Sequence, residues 1–96
     1  MNLINKKELK DSLGQLKGWA YKDGFLKKEF FFNSYMDSII FVNRMARKAE
    51  ELNHHPDLKI GYCKIEVTMT SHDLGGVTDT CLQMAEIVEA ILSESF

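Results

Sequence analysis

Apolar residues along this chain recur with two alternating periods, and the places where the period changes mark its elements. From about Lys6 to Leu16 the spacing is helical, with Leu9, Leu13 and Leu16 in a stripe. Asn5 can cap that helix, Glu8 stands where a capping box needs it, and Gly18 ends it. The stretch WAYKDGFLKKEFFF then reads as a hairpin. Trp19 to Lys22 and Phe25 to Phe32 form its strands, and Asp23-Gly24 is a strong turn signal. Asn33 and Ser34 are good N-cap residues for a long helix reaching about Asn53. Tyr35, Ile39, Val42, Ala46 and Ala49 fall on one face of it, and Ile40, Phe41 and Met45 widen that face well beyond a simple stripe. A surface helix this apolar is expected to pack on the sheet with one side and on a partner chain with another.

Pro56 stops the long helix and biases His55 toward an extended backbone. Two short strands follow, about Leu58 to Tyr62 and Lys64 to Thr70. The second alternates, with Ile65, Val67 and Met69 opposite Lys64, Glu66, Thr68 and Thr70. After the loop SHDLGG, Thr78 caps a last helix to about Ser93, with Leu82, Ala85, Val88 and Leu92 pointing inward. The order is αββαββα. Hairpins alternating with helices predict an α+β fold: a four-stranded antiparallel sheet with helices packed on one face.

Composition narrows the picture. The chain has 96 residues, which suits a single domain over 1–96 with a modest core, so self-assembly into a homodimer or homotetramer would help it. The formal net charge is −2 with both signs interspersed, which argues against nucleic acid as the main partner. The longest apolar run, Ile39 to Val42, is too short to span a membrane, and MNLINKKELK lacks the apolar region of a signal peptide. Cys63 and Cys81 form neither a metal-type spacing nor a disulfide framework. A cytoplasmic protein with free thiols is the simple reading.

The histidines carry the chemistry. His54 and His55 stand side by side before Pro56, and His72 sits in TMTSHD. A hairpin turning near Cys63 leaves His54 nine residues before the turn and His72 nine after it. Neighbouring antiparallel strands are about 4.8 Å apart, so His72 is expected to return beside the His-His pair. Metal binding fits this poorly: adjacent histidines on an extended segment diverge, and no carboxylate is placed as an obvious further ligand. Proton transfer fits better. Histidine ionises at about pH 6.5, and a cluster can keep one ring protonated as acid and another neutral as base. That suits elimination or addition of water at an activated carbon. No nucleophile motif and no glycine-rich phosphate loop is present.

These residues also carry a resemblance. AEELNHHP, then Tyr62, then TSHD resembles the signature of the pterin-4a-carbinolamine dehydratase family, here Glu50, His54, His55, Pro56, Tyr62 and His72. Gly18-Trp19, EFFFNSY and HDLGGVT also resemble it, so the likeness covers nearly the whole chain. The resemblance implies loss of water from a 4a-hydroxytetrahydropterin to give the quinonoid dihydropterin, with a reduced pterin as substrate and no metal or cofactor. It implies that His54 and His72 are general acids facing opposite faces of the ring. It implies that His55 binds substrate and serves as base, and that Asn53 and Thr70, Ser71, His72 and Asp73 belong to pterin-contacting segments. Some relatives instead stabilise dimers of a homeodomain transcription factor through a helical surface, and a place in molybdopterin metabolism is a further alternative.

Each residue also has a plainer reading. Glu50 late in a helix can be merely solvent-facing. Trp19 and Phe30 to Phe32 read as core and sheet packing, and Met36, Met45, Met69 and Met84 as gap fillers. Leu58 stands where many relatives carry tryptophan, and Asn53 where an aspartate is common. Cys81 replaces another common aspartate, which reads as a capping-box acid whose loss costs stability more than chemistry.

Overall fold

The structure, a computed structural model, describes residues 3–96. Met1 and Asn2, which the single-domain reading includes, lie outside the described residues. The elements are α1 (Lys6–Gln15), β1 (Ala20–Lys22), β2 (Phe25–Phe31), α2 (Tyr35–Leu52), β3 (Asp57–Gly61), β4 (Lys64–Met69) and α3 (Asp79–Ser95). The strands form one four-stranded antiparallel sheet, as the alternation of hairpins and helices predicts, and the structure gives its order as β1-β2-β4-β3.

Local chemistry sets the boundaries. Asn5 accepts the Glu8 N–H at 2.8 Å, Ser34 the Asp37 N–H at 3.1 Å and Thr78 the Cys81 N–H at 3.4 Å, so each helix begins on a side-chain cap. At the first hairpin Asp23 and Gly24 have φ of 51° and 88°, the paired left-handed geometry that matches the strand twist. The second hairpin closes over Tyr62 and Cys63, between the paired residues Gly61 and Lys64.

One sheet face is the core. Leu26, Phe30, Ile65, Val67 and Met69 project from it onto Phe41, Met45 and Ala49 of α2 and onto Met84, Ala85 and Val88 of α3. The other face carries Lys27, Glu29, Lys64 and the exposed Phe25 and Phe31. Trp19 is buried edge-on to Phe30, and its Nε1 donates to Glu89. Phe31, 71 % exposed, departs from the packing role expected of the Phe30 to Phe32 run, because alternation along β2 turns it away from the core.

The long helix corrects the expected face. Its buried seam is Ser38, Phe41, Met45 and Ala49; Tyr35 and Ala46 are exposed, and Ile39 and Val42 only partly covered. Ser38 tolerates burial because its Oγ donates to the Tyr35 carbonyl. A polar residue thus sits in the seam and apolar ones beside it, which periodicity alone misreads. Met36 is likewise exposed, unlike the buried Met45, Met69 and Met84. In α3 the innermost residue of the last turns is Ile91, with Leu92 only partly covered.

Candidate functional site

Two chain segments meet at the end of the sheet where β3 begins and β4 finishes. The first is the exit of α2. Asn53 takes a left-handed conformation, φ 49°, and its N–H donates to the Glu50 carbonyl while the His54 N–H reaches back to Ala49 at 3.0 Å. This helix-closing motif reverses the chain sharply, and asparagine is among the few residues besides glycine that accept it. Pro56 then keeps the backbone extended into β3.

The second segment is the loop after β4. Ser71 and Gly76 pair across it, with Ser71 N–H to Gly76 carbonyl at 2.8 Å and Gly75 N–H to Ser71 carbonyl at 2.8 Å. The Ser71 Oγ accepts the Leu74 N–H, and Gly75 supplies a φ of 69°. Thr70 anchors the strand end to the first hairpin by donating to the Gly24 carbonyl at 2.8 Å. His72 stands on this tied loop.

The β3–β4 register pairs Asp57 with Thr68, so the residues just before β3 come to lie beside those just after β4. A cleft of about 220 Å³ opens there, lined by Asn53, His54, His55, Thr70, Ser71, His72 and Asp73. The three histidines expected to converge therefore line one cleft. A roomier hollow of about 760 Å³ near Phe31, Phe32, Leu92 and Phe96 has no histidine in its lining, so size alone does not locate the chemistry.

The three rings differ in their surroundings. His54 is 9 % exposed, and its Nε2 lies 3.2 Å from the Cys81 Sγ, itself fully buried. Burial holds its pKa below the ordinary histidine value, and the nearby His55 and His72 push it the same way. His54 is therefore predominantly neutral at pH 7. His55 is exposed, and its Nε2 contacts the Glu50 carboxylate. The Nε2 of His72 lies 3.7 Å from the Asp57 carboxylate. Carboxylates thus stand beside two of the rings, one each. Among the described residues, no group of His, Cys, Asp or Glu is gathered closely enough to hold a metal ion.

Of the residues singled out in the sequence, Glu50 touches the site only through His55, from outside the cleft. Pro56 shapes the backbone without lining the cleft. Tyr62 is remote from it, at the hairpin turn, 84 % exposed and stacked on Tyr35. Sequence reasoning missed one neighbour, Asp57, and one contact, that of Cys81 with His54. Asp57 could have been noticed as the first residue after the proline. Cys81 was seen, but the capping reading looked along the helix rather than across to His54.

The sequence profile described as Pterin 4 alpha carbinolamine dehydratase matches residues 2–91. The chain belongs to this family. A relative from Sulfurisphaera tokodaii, provisionally named pterin-4-alpha-carbinolamine dehydratase, is 34 % identical over 93 residues, covering 97 % of this chain and 100 % of its own. One from Koribacter versatilis with the same provisional name is 40 % identical over 78 residues, covering 81 % and 83 %. The crystal structure of a protein from Brucella melitensis described as a transcriptional coactivator/pterin dehydratase superposes with a TM-score of 0.90 at 30 % identity, covering 94 % of this chain and 98 % of that one. A pterin dehydratase-like protein identified as a RuBisCO assembly factor in the alpha-carboxysome shares the fold, with a TM-score of 0.64 at 24 % identity over 76 % of this chain and 84 % of that one. Membership of a dehydratase family gives the histidine cleft a reaction class to be weighed against its geometry. No helix among the described residues is long and apolar enough to cross a membrane.

Proposed function

We propose that the protein removes water from a 4a-hydroxytetrahydropterin, giving the quinonoid dihydropterin. The observation that carries this reading is the sharing of one cleft by His54, His55 and His72, at the end of a rigid hairpin. Hydroxide is a poor leaving group and must be protonated as its bond to carbon breaks. The adjacent ring nitrogen supplies the electron pair that becomes the new C=N bond, and that nitrogen loses its proton. One proton is delivered and one removed, so the protein's total proton count is unchanged and water departs; the proton returns from base to acid through solvent before the next turnover. Positioned acids and bases contribute about 10²- to 10⁴-fold to such steps.

His54 and His72 act as the general acids for the two stereoisomers, each from its own face of the ring. The lowered pKa of His54 makes its imidazolium a rarer but stronger acid. His55, held by Glu50, binds the substrate and accepts the nitrogen proton. Backbone and side-chain groups of Asn53 and of Thr70 to Asp73 meet the polar edge of the pterin. The reaction as written needs no cofactor. The direct test is the rate of water loss from freshly generated 4a-hydroxytetrahydropterin with and without the protein, repeated in the presence of a chelator. Acceleration that survives chelation supports the proposal; no acceleration ends it.

A second reading, a protein-binding module, has one observation in its favour: α2 leaves Tyr35, Met36 and Ile40 exposed. Such a face suits a partner helix or a second copy of the chain. The oligomeric state separates these outcomes, since burial of α2 in self-assembly leaves little surface for a foreign partner.

A further inference from the structure

Beneath the cleft, three buried polar groups make a chain whose direction can be worked out. The Thr78 Oγ accepts the Cys81 N–H at 3.4 Å, and lies 3.5 Å from the Cys81 Sγ. That sulfur lies 3.2 Å from His54 Nε2. Thr78 and Cys81 are both fully buried, so neither can turn to water. Each hydrogen in the chain must find an acceptor inside it, since a buried polar hydrogen left unmatched is costly.

Only one sense of the chain satisfies every member. The Thr78 hydroxyl donates to sulfur, the thiol donates to Nε2, and the imidazole proton therefore resides on Nδ1. In the opposite sense Nε2–H points at sulfur and the thiol hydrogen turns to the Thr78 oxygen. The Thr78 hydroxyl hydrogen then has no acceptor among the described hydrogen bonds. The hydrogen bond made by one imidazole nitrogen decides which nitrogen carries the proton.

We propose that Cys81 is a positioning residue: its thiol, oriented by Thr78, fixes His54 in the Nδ1–H tautomer and turns a hydrogen-bond donor toward the cleft. The role of that donor rests on the dehydration reading above; the tautomer itself does not. In a dehydratase, the neutral ring so fixed orients the substrate hydroxyl by donating to its oxygen, and the proton that leaves with it comes from the imidazolium, whose Nδ1–H occupies the same place. A ring in the other tautomer would offer a lone pair there instead. Position 81 is thus tied to the reacting groups through His54, and its side chain does more than begin a helix.

The test uses the full chain labelled with ¹⁵N in histidine, with long-range proton–nitrogen correlation spectra of His54 in the absence of ligand. The wild type and Cys81→Ser are expected to show a single Nδ1–H tautomer. Cys81→Ala is expected to show a mixture or the Nε2–H form. In the dehydration assay Cys81→Ala should lower kcat by about ten-fold or more with KM changed little, since a misplaced imidazole proton disables acid–base chemistry. Cys81→Ser, which restores a donor, should recover most of that loss. A purely structural role would leave the His54 tautomer alone, and rates would then follow the folded fraction. An Nε2–H tautomer in the wild type, or an unchanged tautomer in Cys81→Ala, overturns the proposal. Should Cys81→Ala fail to fold, the wild-type and Cys81→Ser spectra decide it. Should the wild type show no dehydration, the functional reading falls while the spectra still judge the tautomer.

Discussion

The β3–β4 hairpin has two ends built on opposite plans. At the cleft end, polar groups are turned inward and tied down. His54 meets Cys81, Thr70 donates to the Gly24 carbonyl, and the backbone of Ser71 closes the loop against Gly76. At the turn end, Tyr62 stands in solvent, in contact with the ring of Tyr35 at 6.2 Å between centroids. Both ends contribute residues to the same sequence signature, yet only one end gathers a site. A signature therefore mixes residues that line a cleft with residues that set the hairpin, and spacing alone does not separate them. The difference lies in what each end packs against. The cleft end rests on the first turn of α3, while the turn end projects beyond the core.

This contrast can be broken by experiment, and the largest effect should come from the middle of the cleft. His55→Ala is expected to slow water loss from freshly generated 4a-hydroxytetrahydropterin by about 10³-fold, within the range of positioned acid–base groups. A rate near wild type would remove His55 from the mechanism. Next, His54→Ala and His72→Ala should each slow one stereoisomer of the substrate by about 10- to 100-fold, and opposite stereoisomers. Equal losses on both would show that the two rings do not face opposite sides of the ring.

A smaller effect concerns stability. The folded-state pKa of His54 lies below the ordinary histidine value of 6.5, so the unfolded chain binds a proton at His54 before the native chain does. His54 thus favours folding fully above pH 6.5, and this contribution declines as pH falls through 6.5 toward the folded pKa. Urea titrations between pH 8 and pH 5 should show that decline, and His54→Asn should flatten it. An unchanged slope in the variant would mean that other groups govern the acid side. The smallest effect belongs to the other end of the hairpin. Tyr62→Ala should cost about 1 kcal/mol or less, the scale of one aromatic pair, and leave the dehydration rate within about two-fold. A large rate loss there would erase the distinction between the two ends.

Most of the fold was legible because its signals are local. A cap bonds to a residue three positions on, as Asn5 does to Glu8 and Ser34 to Asp37. A two-residue turn needs left-handed backbone, and Asp23-Gly24 accepts it. Strand alternation in Lys64–Met69 follows from a period of two and needs nothing from elsewhere in the chain. The meeting of His72 with His54 and His55 was also readable, because antiparallel pairing is a counting rule once the turn is placed. The seam of α2 was not. Ser38 inside and Tyr35 outside depend on the angle at which the helix lies on the sheet, and a polar residue that bonds its own backbone leaves no apolar signal.

The amino-acid order thus determined by itself the succession of elements, their ends and the convergence of three imidazoles, since each rests on hydrogen bonds or pairings of short range or fixed register. Only tertiary packing decided what surrounds each imidazole. His54 faces a thiol from α3, His55 a carboxylate from α2 and His72 one from β3. Those neighbours lie on different elements, and their distances follow from how helices seat on the sheet. Burial and nearby charge, which set the protonation of a histidine, exist only once that seating is complete.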